Sequence, residues 1–127
     1  MKEYKKYYII SASPEDIYKA LTTEITIHLW TGDTVQIDPQ EGGEFSMWDG
    51  AITGRFIELE PFKKIVQQWY FGEQEEASIV TIKLHEDRSG TSLELRHTNI
   101  PDDAFEDIVE GWNDTYMASL IDFYSEE

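Results

Sequence analysis

From residue 33 to 99 the chain follows the short-run, period-two pattern of hairpins, and beyond Pro101 the period becomes helical. Leu93, Leu95 and His97 share one strand face against Glu94, Arg96 and Thr98, and Val80, Ile82 and Leu84 oppose Thr81, Lys83 and His85 in the same way. Between residues 33 and 99 the runs TVQID, GEFSMW, AITGRFIELE, KIVQQWYF, SIVTIKLHE and TSLELRHTN are separated by turn chemistry. Their breaks are Pro39 with Gly42 and Gly43, Asp49-Gly50, Pro61, the polar stretch GEQEEA, and Asp87 to Gly90. Six strands joined by short turns predict an antiparallel meander with one face toward a core. EYKKYYIIS (3–11), rich in Tyr and Ile, adds a strand before them, although its alternation is imperfect.

Helix signals frame this sheet. Ser13 can cap a helix whose first position is Pro14, with Glu15 and Asp16 on the amide-rich first turn and Ile17, Ala20 and Leu21 on its apolar side. TEITIHLW (23–30) is ambiguous, because Ile25, Ile27 and Leu29 also alternate. After Pro101, Phe105, Ile108, Val109, Trp112, Tyr116, Leu120 and Phe123 form one helical stripe, and Asp107, Glu110 and Asp114 lie roughly opposite. An amphipathic helix with an aromatic stripe needs a partner, and the concave face of a curved sheet supplies one. Gly111 interrupts this strong helix at a cost of about 1 kcal/mol relative to Ala. Close approach of helix to sheet is its simplest reason, and a bend that opens a pocket mouth is the alternative.

Composition narrows the picture. A length of 127 residues with 40% hydrophobic and 13% aromatic content fits one domain over residues 1–127 and one core. A net charge of -16, from 26 acids against 10 bases, repels phosphate backbones, so no nucleic-acid partner is expected. The absence of cysteine removes disulfides and thiolate chemistry and makes a cytoplasmic location the default. No apolar run is long enough for membrane insertion, and the basic start MKEYKK is not followed by a signal-peptide core. A monomer is expected.

The chemistry-bearing residues are sparse. The chain lacks the nucleophile elbow, the zinc-protease helix motif, the P-loop and the dinucleotide fingerprint. His85 falls on a polar strand face, and His28 has no second ligand at helical spacing, so no metal site, cofactor or catalytic residue is assigned. His97, on an apolar face, is either a satisfied core histidine or a neutral imidazole reaching a pocket as hydrogen-bonding group or base. Arg55 and Arg96 could hold an anionic head group, with surface pairing to acids the stronger reading.

Several segments together resemble one known family. They are SPEDIYKALT (13–22), Trp30-Thr31, GGEFSMWDGAITGRFIELEPFKKIVQQWYF (42–71), GTSLELRHTNIP (90–101), and Gly111-Trp112 followed by Tyr116 and Leu120. In this order they resemble the START-like (SRPBCC) superfamily, and within it the bacterial homologues of the C-terminal domain of the heat-shock protein 90 ATPase activator. The resemblance implies an α+β helix-grip fold: a six- to seven-stranded curved antiparallel sheet wrapped around a long C-terminal helix, with two short helices after the first strand. It makes 23–30 the second of these helices. It also implies a pocket between sheet and helix, which in related families receives lipids, polyketides or other apolar molecules. In such a pocket the candidate ligand-binding residues are Trp30, Phe45, Met47, Ile57, Trp69, His97, Trp112 and Tyr116, with Trp48 as a further aromatic. Ordinary core packing is the competing reading for each ring. The expected function is binding of a small apolar, lipid-like or aromatic molecule, with a link to stress response. Alternatives are a co-chaperone that contacts a chaperone through exposed acidic and apolar surface, and a cyclase or hydrolase built on His97.

Overall fold

The computed structural model describes residues 1–72 and 76–125. The strands are β1 (Lys2–Ile10), β2 (Val35–Ile37), β3 (Glu44–Met47), β4 (Ile52–Glu60), β5 (Lys64–Trp69), β6 (Ser78–Asp87) and β7 (Gly90–Ile100). They pair antiparallel in the order β1-β7-β6-β5-β4-β3-β2, so the meander runs from β2 to β7 and β1 returns to the β7 edge. The predicted phases hold: Thr91, Leu93, Leu95 and His97 are buried, as are Val80, Ile82 and Leu84, and Gln67 and Trp69 join Ile65 on the inner face of β5. Of the GEQEEA connection between β5 and β6, residues 73–75 lie outside the described residues.

Between β1 and β2 lie α1 (Pro14–Thr22) and α2 (Glu24–Thr31). Ser13 caps α1 as its sequence predicts, its hydroxyl accepting from the Asp16 amide at 3.1 Å. The ambiguous segment is helical. Ile27 and Trp30 are buried while Ile25 and Leu29 stay exposed, and Gly32 ends the helix in the left-handed region at φ 73°. Alternation within that segment therefore misleads, because tertiary packing selects the helical spacing of Ile27 and Trp30.

The C-terminal helix begins with a 3-10 turn (Asp102–Ala104), continues as α3 (Phe105–Gly111), passes through one π-helical turn (Trp112–Tyr116) and ends as α4 (Met117–Phe123). Trp112, Tyr116, Met117 and Leu120 are its buried residues. They pack with Ile10, Ile17, Ile27, Phe56, Ile65, Ile82, Leu93 and Leu95 into one core between the helices and the curved sheet. Among the described residues no helix is long and apolar enough to cross a membrane.

Candidate functional site

The π-helical turn decides what the C-terminal helix offers the sheet. A π turn widens the helix and leaves carbonyls without their usual partners. Here the Asn113 amide donates to the Val109 carbonyl at 2.9 Å and to the Tyr4 hydroxyl at 2.8 Å. The Asn113 Oδ1 in turn accepts from Lys6 Nζ at 2.7 Å and from the Tyr8 hydroxyl at 3.0 Å. Tyr4, Lys6 and Tyr8 project from one face of β1, so strand periodicity assembles this clamp. Burial raises the Tyr8 phenol above its ordinary range, with the Tyr4 hydrogen bond adding to the shift. It therefore stays a donor.

On the other side of the same turn the contacts are aromatic. Trp112 stacks on Trp69 with centroids 4.8 Å apart and leans on Tyr116 at 4.6 Å. Tyr116 meets Trp30 at 5.2 Å and Trp48 at 5.8 Å. The indole N–H of Trp112 donates to His97 Nδ1 at 3.0 Å. An indole can only donate, so Nδ1 must be the bare nitrogen and Nε2 carries the proton. Nε2 then donates to Ser78 Oγ at 2.8 Å, and that hydroxyl donates to the Thr98 carbonyl at 3.2 Å. His97 is fully buried, and desolvation lowers its pKa to about 4. Both ring nitrogens are occupied by protein, so His97 orients Trp112 and offers no free nitrogen to a substrate.

Beside this cluster lies a cleft of about 290 Å³, whose lining combines Trp48, Ala51 and Ile52 of the β3–β4 hairpin with Trp69 of β5. The helix supplies Asp107, Ile108, Gly111, Trp112, Thr115 and Tyr116. Trp48 sits at φ 52° and Asp49 at φ 56°, left-handed conformations that cost a non-glycine residue about 1–2 kcal/mol. The hairpin keeps Trp48 there by packing its ring on Trp30 and Tyr116. Tyr116 is buried, and burial raises its phenol well above the ordinary range. Its hydroxyl has no hydrogen-bond partner among the described residues, although a buried hydroxyl left unpaired costs about 1–3 kcal/mol.

Of the residues singled out from sequence, Trp48, Trp69, Trp112 and Tyr116 come together at this cleft. Trp30 lies behind it, in contact with Trp48 and Tyr116 and anchored by its indole N–H to the Ala20 carbonyl at 2.7 Å. Phe45 and Met47 are buried core residues outside the lining, and Phe45 rests on Phe56. Ile57 is a correction: it is exposed and away from the cleft. Phe56 shares the inward phase of Gly54, which turns Ile57 outward, and the bulge between Phe56 and Glu58 then brings Leu59, two residues on, back toward the core. Gly111 is a second correction. A Cβ built on it would meet nothing within 4 Å, so close packing is not its reason, and the residue borders the cleft instead. Close approach occurs at Gly54, where a Cβ would run into the Gln68 carbonyl oxygen and lie 2.9 Å from the Phe45 ring. Ala51, Ile52, Asp107, Ile108 and Thr115 were not expected in the lining, and Asp107 reads from periodicity as lying on the polar side of the helix; Ile108, on the apolar helix stripe one turn before Trp112, carries the one signal that could have marked it.

The other candidates resolve into surface pairs. Arg96 pairs with Glu3 at 2.7 Å, Arg55 donates to Gln68 at 3.0 Å, and His85 meets Glu94 at 3.1 Å. Among the described residues no group of three or more His, Cys, Asp or Glu side chains is placed to hold a metal. A wider surface groove of about 790 Å³ between α1 and the β4–β5 hairpin is lined by both lysines and glutamates, without convergent buried polar groups.

Residues 11–123 match the model of the family described as Activator of Hsp90 ATPase homolog 1-like protein. The chain is 33% identical over 110 residues to the human protein named Activator of 90 kDa heat shock protein ATPase homolog 1, covering 85% of this chain and 32% of that protein. It is 35% identical over 103 residues to a Dictyostelium discoideum homologue of the same name series, covering 79% and 27%. It thus spans about a third of the length of the curated relatives it matches. Among solved structures, an HSP90 activator from Plasmodium falciparum superposes with a TM-score of 0.79 at 28% identity, covering 92% of this chain and 90% of that one. The Colwellia psychrerythraea structure described as an Aha1 dimer gives 0.75 at 22% identity, covering 98% and 94%, and shows the shared fold.

Proposed function

The chain belongs to the Activator of Hsp90 ATPase homolog 1-like family, and from that premise we propose that it is a binding domain whose aromatic cleft takes up one small, ring-sized apolar molecule. The observation that carries this reading is the cleft between hairpin and helix, with three tryptophans and Tyr116 in its lining and the Tyr116 hydroxyl left without a partner among the described residues. Its volume of about 290 Å³ falls at the small end of ligand pockets, whereas an apolar cavity of about 150 Å³ already accepts benzene. The size suits a single ring with a short substituent better than a long acyl chain. Burial of the nitrogens of His97 removes the group on which a hydrolase or cyclase reading would rest.

The experiment is a screen of single-ring aromatics and short lipids, followed by the indole N–H resonances of Trp48, Trp69 and Trp112. Saturable shifts of these signals are the expected result. A screen in which none of them moves would sink the reading.

A second reading, association with a chaperone of the heat-shock protein 90 class, has its own support. The family and the names of the relatives point to it. So does an exposed acidic face, on which Asp103, Glu106, Asp107, Glu110 and Asp114 enter no ion pair among the described residues. Such a face would speed encounter with a basic surface. Co-purification with the chaperone, lost when these carboxylates are neutralised, is the corresponding test.

A further inference from the structure

The cleft's charge environment is lopsided. Among the described residues that line it, Asp107 is the one that carries a formal charge, and no Lys, Arg or His takes part. Asp107 is exposed at the start of the helix segment that borders the cleft, and Glu110 and Asp114 follow it on the same helix. None of the three enters an ion pair among the described residues, and the whole chain carries -16. Ring faces attract cations, and the field of a net acidic protein, focused into an apolar cleft, adds to that attraction. An anionic ligand would meet the same field with the opposite sign and find no basic group to pair with. The Tyr116 hydroxyl, unpaired among the described residues, can accept from an ammonium N–H through its oxygen.

We propose that this cleft selects small aromatic or alkyl ammonium cations over neutral and anionic molecules of the same shape, with Asp107 as the charge-selecting residue at its rim. The proposal rests on the cleft being a ligand site, as argued above. It makes the bound class an organic amine with a compact apolar body, and it disfavours fatty acids. Trp48, Trp69, Trp112 and Tyr116 hold the body, Asp107 screens the charge, and the open space at Gly111 admits the ligand.

A matched series on one skeleton tests it: 2-phenylethylammonium, 2-phenylethanol and 3-phenylpropionate, with phenyltrimethylammonium as a cation that cannot donate a hydrogen bond. Binding is read from tryptophan fluorescence and the indole N–H resonances. The ammonium is expected to bind about fivefold more tightly than the alcohol and at least about tenfold more tightly than the carboxylate. Raising the salt from about 20 mM to about 500 mM should shrink that preference. In Asp107→Asn, an exposed change that leaves the core intact, ammonium affinity should fall about threefold and alcohol affinity should not move. Equal binding of ammonium and alcohol, or preference for the carboxylate, overturns the charge selection while leaving an apolar cleft. An ammonium preference unchanged in Asp107→Asn overturns the assignment of Asp107. If no member of the series shifts a cleft tryptophan, the selection fails together with the reading it rests on.

Discussion

The two sides of the π-helical turn are built on opposite principles. Toward β1, Asn113 is clamped by Tyr4, Lys6 and Tyr8, and its amide donates to the Val109 carbonyl beside the Trp112 backbone N–H. Toward β3, β4 and β5, the contacts are ring on ring, Gly111 faces open space, and the Tyr116 hydroxyl is unpaired among the described residues. One side fixes the position of the helix through directional bonds. The other leaves a volume whose shape depends on that position. A helix held by packing alone could slide into the cleft and close it; the hydrogen bonds at Asn113 oppose that collapse without occupying the space.

The largest way to break the contrast is to remove the ring that joins both halves. Trp112 is buried, stacked on Trp69 and bonded to His97, so Trp112→Ala should cost about 3–5 kcal/mol in denaturant unfolding. Trp112→Phe keeps a ring but strands the bare Nδ1 of His97, and should cost about 1–3 kcal/mol. A Phe variant as stable as the parent would show that the indole–imidazole bond contributes nothing net.

Acid attacks the same joint from the His97 side. Burial holds its folded pKa near 4, below the ordinary 6.5, so the unfolded chain binds the extra proton first as pH falls. The contribution from neutral His97 is therefore complete above pH 6.5 and is lost between about 6.5 and 4, amounting to about 3 kcal/mol across that window. Glu3, Glu94 and Asp102, each lowered first by a side-chain hydrogen bond, lose their share at lower pH. Unfolding free energy followed from pH 7.5 to 4.5 in the parent and in His97→Gln separates the two, because only the parent should carry the histidine slope. Parallel curves would show that His97 titrates with the same pKa in the folded and the unfolded chain.

A smaller effect is expected on the clamp side. Asn113→Ala removes bonds to Tyr4, Tyr8, Lys6 and the Val109 carbonyl, all exposed or half-buried, and should cost about 1–2 kcal/mol. It should also blunt ligand-induced shifts at Trp112, since the turn is then free to relax to α-helical spacing. Unchanged hydrogen exchange at residues 112–117 would argue that the aromatic side fixes the helix unaided.

How much of this was legible in the sequence follows the same division. Strand phase was readable wherever a period of two ran unbroken, as from Leu93 to His97, and the helix was readable from the stripe ending at Phe123. Ile57 shares its sequence phase with Leu59, and the bulge that sets the two on opposite faces leaves no mark in alternation until the register is known. Trp69, Trp112 and Tyr116 reach the cleft because they lie on inward faces, but an inward face does not say whether a ring meets protein or space. The π turn that sets this answer is stabilised by Asn113, whose partners are more than a hundred residues away on β1. Local periodicity contains no signal of that distance. Trp48 was legible as an aromatic but not by strand or helix phase: it sits in a turn marked by Asp49-Gly50, where its left-handed φ swings the ring toward the helix.

Gly111 gives the smallest expected change in stability and the sharpest separation of the two sides. It has helical backbone angles of φ -62° and ψ -41°, and no atom lies within 4 Å of a built Cβ, so Gly111→Ala should stabilise the fold by up to about 1 kcal/mol. A methyl group there trims little from about 290 Å³. Gly111→Leu keeps the helix propensity and directs a larger side chain toward the cleft, so ligand affinity should drop at least about tenfold while the unfolding midpoint holds or rises. Loss of stability in Gly111→Ala would mean that the glycine serves backbone geometry at the entrance to the π turn. Retained binding in Gly111→Leu would place the ligand away from this face of the helix, and the contrast between a fixed side and an open side would lose its functional half.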